Sequence, residues 1–170
     1  MELVAWLAGE RHSDEPNCAC PAIGGLVRAA NDLCHDPAVR ERTFRGLAAR
    51  IVNSRTSDDV SQRRAFLALD VTARFLAPLH LDRIGQHTAA VDLRGTVEVV
   101  DAPTAAVAAA MCARHGLPLR AATWTLRQAA AGQDSRVWLS GIAHAAYRAN
   151  AITVVRRIVL DMLSVRRVPN

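Results

Sequence analysis

The sequence predicts an all-α protein, an irregular multi-helix bundle or two-layer helical array of about seven helices. Three observations carry that expectation. Alanine supplies 32 of the 170 residues and aromatics only 4%, so the core must be built from small aliphatic side chains that favour helix. Apolar residues recur at three- and four-residue spacing along most of the chain. Helix start and stop residues punctuate it at short intervals. With 51% hydrophobic and 22% charged residues, the chain is neither a disordered tail nor a collagen-like fibre. Its mass of 18.4 kDa is that of one domain, residues 1–170, with a weak internal division around 79–102.

The first predicted helix, residues 1–8, is short and apolar and ends at Gly9, and a polar loop follows over residues 10–20. Pro21 then occupies a first helical position, where its missing N–H costs nothing. Residues 21–34 place Ile23, Leu26, Val27, Ala30, Leu33 and Cys34 on one stripe. Asp36-Pro37 repeats the start signal. The helix it opens is predicted to reach about Val52, with Val39, Phe44, Leu47, Ala48 and Ile51 inward and Arg40, Arg42, Arg45 and Arg50 mostly outward. Thr56 or Ser57, followed by Asp58 and Asp59, starts the next helix, because negative charge in a first turn complements the helix dipole. That helix is the longest and most apolar of the first half and is predicted to stop at Pro78.

Residues 79–84 and 88–93 read as short helices. Residues 96–100, Thr-Val-Glu-Val-Val, alternate like a strand, but a lone strand has nothing to pair with, so the segment is assigned to loop. Pro103 reopens a helix that reaches Arg114, with Gly116 as its left-handed cap. Residues 118–131 form the next helix, ended by Gly132, and Asp134 or Ser135 caps another through about Arg148. The last spans 150–164, with Ile152, Val155, Ile158, Val159, Met162 and Leu163 on one face and Arg156, Arg157 and Asp161 on the other. The 79–102 stretch would part a three-helix half from a four-helix half. Each is too small to stand alone, which predicts one shared core.

All 21 basic residues are arginine, and the net charge of +5 is uneven. Residues 1–36 carry two Arg against six acids, whereas 117–170 carry eight Arg against two acids. Acidic and basic surfaces that complement one another suit a protein partner or self-association into a homo-oligomer. The basic amphipathic last helix with the tail 165–170 is the expected contact element. Nucleic acid is a further reading, through the arginines of 40–64 and 148–167. Against it, most of the seven aromatics (Trp6, Phe44, Phe66, Phe75, Trp124, Trp138, Tyr147) sit at core-like spacing and leave the arginines without stacking companions.

The longest apolar run, residues 105–113, is about half of a bilayer crossing, which argues against a membrane protein. Residues 1–10 lack the basic n-region of an export signal, and the apolar stretch 3–8 is too short for one. The expectation is a cytoplasmic protein with Cys18, Cys20, Cys34 and Cys112 reduced.

Only residues 12–35 hold a dense set of ligand-type side chains: His12, Asp14, Glu15, Cys18, Cys20, Cys34 and His35. Thiolate, imidazole and carboxylate all bind zinc, which takes four in a tetrahedron. Cys34 lies about 20 Å along the helix from Cys20, too far to share one ion. A zinc site would therefore use His12, Cys18 and Cys20 with a fourth ligand from His80, His87 or Asp70. One residue between the two cysteines is fewer than zinc motifs usually have. The same pair at a helix N-terminus could instead supply a reactive thiol, or serve as small buried apolar residues in a hydrogen-bonded loop.

Asp70, inside an apolar helix, needs a partner if buried, and Arg74 stands one turn later in the supportive order. With a histidine, the pair would make a polar pocket suited to acid–base work; without one, it is an ion pair. His144, among small residues, is the remaining catalytic candidate and otherwise a satisfied core or rim histidine. Gly24-Gly25 reads as close helix packing or a local kink. There is no GxxxxGK[ST], strand-borne GxGxxG, HExxH or GxSxG. The reading that follows is a non-enzymatic, cofactor-free helical protein that works by binding a protein partner or itself.

Overall fold

Eleven α-helical segments and no strand make up the described residues, 1–165, of a computed structural model. They are α1 (Glu2–Leu7), α2 (Pro21–Leu33), α3 (Pro37–Phe44), α4 (Leu47–Ile51), α5 (Asp58–Val71), α6 (Ala77–Arg83), α7 (His87–Arg94), α8 (Ala102–Arg114), α9 (Arg120–Ala130), α10 (Ser135–Arg148) and α11 (Val154–Ser164). A π-helical segment, Thr72–Leu76, joins α5 to α6. The class is all-α, as the composition and spacing predict, and the helices are more numerous and shorter than the seven expected.

Start and stop residues act largely as anticipated. Pro21, Pro37 and Pro103 lie in first turns, and the Asp36, Asp101 and Asp134 carboxylates accept N–H bonds from their own helices. Gly9, Gly116 and Gly132 have φ of 70°, 58° and 71°, the left-handed conformation glycine adopts without penalty. Residues 96–100 are loop.

Three boundaries differ. The predicted 37–52 helix is broken at Arg45–Gly46, where Gly46 turns left-handed with φ 71°. The carbonyls released by the break are met from across the molecule: Arg156 of α11 donates to Thr43 O and Arg45 O. Arg156 is thus half-buried and structural rather than part of an outward basic face. The helix predicted to stop at Pro78 instead continues without interruption to Arg83. Ahead of the proline, the Ala77 N–H reaches back five residues to Thr72 O. A proline ring clashes with the carbonyl four residues earlier and cannot donate to it; the widened turn relieves that conflict, and the helix runs on. The last helix begins at Val154, because Asn150, at φ 50°, closes α10 first and Ala151 N–H returns to Ala146 O at 2.8 Å. The tail 166–170 lies outside the described residues.

The core joins the two ends of the chain. α10 packs on α2 and α9; α5 lies against α2, α10 and α11. Ile23 and Leu26 of α2, Leu69 of α5, Trp138, Leu139 and Ile142 of α10 and Ile158 of α11 are all buried in one apolar cluster. The Gly24-Gly25 pair does not produce close packing: a Cβ at Gly25 would stand 3.9 Å from Leu139, ordinary contact. The tight crossing is α9 on α10. A Cβ at Gly141 would fall 2.1 Å from Thr125 Oγ1 and 2.9 Å from Trp124 Cε3, so only glycine fits there.

The aromatic residues divide in a way that the spacing does not foretell. Phe66 and Trp138 are buried, but Trp6, Phe75, Trp124 and Tyr147 stand 73%, 50%, 43% and 43% exposed.

Candidate functional site

The loop over residues 10–20 is held by hydrogen bonds with Glu10 within it and with Arg28, Ser54 and Arg55 outside it. The Glu10 carboxylate accepts the N–H groups of Asn17 (2.6 Å) and Cys18 (2.7 Å). Arg28 donates to Asp14 O and pairs with Glu15, both at 2.8 Å. Arg55 N–H donates to Cys18 O, and Cys20 N–H to Ser54 Oγ, both at 2.9 Å. Apart from the Arg28–Glu15 ion pair, each contact satisfies a backbone group that an irregular loop would otherwise leave bare.

His12 stands in solvent beside Glu2 at 3.4 Å. Cys18 is half-buried; Cys20 is fully buried, with its Sγ 3.4 Å from Ser61 Oγ. His87 pairs with Asp82, and Asp70 is occupied by Arg74. Among the described residues, no three His, Cys, Asp or Glu side chains are grouped to hold a metal ion. His12, Cys18 and Cys20 are neighbours in sequence that the loop directs to different surroundings. The polar cleft beside the loop, about 370 Å³, is lined in part by Arg28, Arg55 and Arg136. These guanidiniums are already engaged, Arg28 with Glu15, Arg55 with Asn17 O and Arg136 with Asp134.

Asp70 and Arg74 meet through two parallel bonds, Nε to Oδ1 at 2.6 Å and Nη2 to Oδ2 at 2.7 Å. The same Oδ1 accepts Val99 N–H at 2.9 Å. The carboxylate therefore ties the 96–100 loop to the end of α5 and to Arg74 of the π-helical segment, and it holds the Arg74 guanidinium above its ordinary value. No histidine joins them. His144 is exposed on α10 and bonds to Ser140 O at 2.9 Å. Of the three residues proposed for acid–base work, Asp70 and Arg74 form an ion pair and His144 stands apart on the surface.

Two thiols are raised by burial, Cys34 and, to about 11, Cys112, which keeps both protonated and unreactive near neutral pH. His80, half-buried on α6, is lowered by burial and secondarily by Arg83. Its unfolded form takes up a proton first as the pH falls. Stability should therefore decline below the ordinary imidazole value of about 6.5 and level off once the folded form protonates too. His80→Gln should flatten the fall in urea midpoint between about pH 7.5 and 5.5; an unchanged fall would remove His80 as its source.

The feature that spacing missed is α1. Val4 and Ala5 face the core, while Leu3, Trp6 and Leu7, at i, i+3 and i+4, are 57%, 73% and 44% exposed. Leu3 also lines an apolar groove of about 210 Å³ with Met1, Val27, Phe44, Leu47 and Ile51. The helix is short enough to be apolar on both sides, and that two-sided pattern was its one legible signal. The comparisons add no relative: no family model, curated protein or solved structure matches this chain.

Proposed function

We propose that the protein is a non-catalytic helical module that self-associates, binding a second copy of the chain through the outer face of α1. The observation that carries this reading is the exposure of Trp6 between Leu3 and Leu7. Single exposed apolar residues are ordinary. An indole and two leucines on one helical face, running into an apolar groove, form the kind of patch that interfaces bury, and tryptophan is the residue most enriched at the energetic centre of such contacts. The predicted catalytic residues support the reading as well, since Asp70 and Arg74 are committed to holding a loop.

The test is self-association of the full chain. Light scattering should show mass rising with concentration, and Trp6 should report the contact by a blue shift in emission. Leu3→Glu/Trp6→Glu should abolish both while leaving the far-ultraviolet helical signal intact, because neither side chain is buried. A wild-type chain that stays monomeric at every concentration, and whose solubility and mass match those of the double variant, would overturn the proposal.

A further inference from the structure

A second surface lies on α9 and α10 and has a different chemistry. Arg120, Trp124 and Arg127 follow one another at i, i+4 and i+7, within about 60° of helix arc, and all three are exposed. The backbone positions of Arg120 and Arg127 are about 10 Å apart along the axis, with Trp124 between them. Across the crossing, Trp124 rests on Gly141. Exposed His144 and Arg148 lie within about 60° of Gly141 around α10, on that same rim. Among the described residues, Arg120, Arg127 and Arg148 have no ion-pair partner, unlike Arg28, Arg74 and Arg136. The sequence has no Asp or Glu over residues 102–133 or 135–160, so α8, α9 and α10 bear no acid of their own.

We infer that this face binds single-stranded nucleic acid, with a base stacked on Trp124 and backbone phosphates on Arg120, Arg127 and Arg148. An indole held against a glycine is already ordered, so stacking costs little side-chain entropy, and unpaired guanidiniums exchange counterions for phosphate without first breaking an ion pair. The occupant is a single strand rather than a duplex because stacking on an aromatic ring needs a base free of its own stack. Of these arginines only Arg148 belongs to the segments 40–64 and 148–167; Arg120 and Arg127, with their aromatic companion Trp124, lie outside both. The site is made by different residues from the α1 face and stands or falls separately from it.

The experiment is fluorescence anisotropy of a labelled oligothymidylate of about fifteen nucleotides titrated with the full chain at low salt. Binding is expected, with log affinity falling against log salt at a slope of about −2 for three phosphate contacts on a single strand. Trp124→Leu should weaken it about tenfold. Arg120→Gln/Arg127→Gln, two changes at exposed positions, should abolish most of it and bring the slope to about −0.7, the share of the remaining Arg148 contact. Arg11→Gln/Arg42→Gln, which removes the same charge elsewhere, should leave affinity nearly unchanged. No binding at low salt would overturn the inference, as would equal losses in both double variants. Preference for a duplex, or competition by polyglutamate at equal charge, would also overturn it and point to shape or to an acidic protein instead.

Discussion

Replacing Trp138 with alanine should cost about 3–5 kcal/mol, a large fraction of the roughly 5–15 kcal/mol that holds a domain folded. The indole is fully buried, so its whole volume is removed from a core that cannot collapse around the gap without moving α5 and α10. Its ring lies 5.9 Å from Phe66 at a 46° tilt, an arrangement that contributes beyond burial alone. Its Nε1 donates to Gln133 O at 3.0 Å and so ties the turn before α10 to the core. Urea denaturation followed by circular dichroism is the measurement. Trp138→Phe should recover much of the loss, since it refills most of the volume and forfeits only the bond. Trp6→Ala should lie within about 0.5 kcal/mol of wild type as a monomer. Equal losses at positions 6 and 138 would contradict this division between core and surface indoles.

Gly141→Val is expected to destabilise the fold by about 3 kcal/mol, and Gly141→Ala by a smaller amount of the same sign. In an unencumbered helix, Gly→Ala is favourable by about 1 kcal/mol, so the sign alone tests the geometry. The contact at 2.1 Å is with Thr125 Oγ1, whose hydroxyl donates to Ala121 O at 2.8 Å. It cannot rotate away without losing that bond, and the Trp124 ring beside it would have to lift. A double-mutant cycle with Thr125→Ala should show positive coupling, since removing the hydroxyl makes room for the new methyl. Stabilisation by Gly141→Ala would mean that α9 and α10 do not cross as closely as described.

The candidate sites were legible to unequal degrees. The Asp70–Arg74 pair could be read from its i,i+4 spacing, whereas its third partner, Val99 N–H, is 29 residues away and left no local trace. The density of His12, Cys18 and Cys20 suggested a metal, but density along a chain is not convergence in space; Glu10, Arg28 and Arg55 take the loop's polar groups instead. The α9 stripe was present in the sequence as Arg120, Trp124 and Arg127. Spacing does not single it out, because an aromatic residue at helical spacing reads equally well as core.

By itself the sequence determined the class and most helix ends, because alanine-rich periodicity, first-turn prolines and left-handed glycines act within one or two turns of the backbone. The tertiary structure alone decided what happens where local signals conflict or are silent. Helix 37–52 breaks where Arg156 arrives to satisfy the freed carbonyls, and the 58–83 helix passes through Pro78 because a widened turn makes room for its ring. Which aromatics are buried was settled in the same way. Both faces of a short apolar helix look alike in sequence, and only the packing of α1 on α4 and of α9 on α10 chose the side left to solvent.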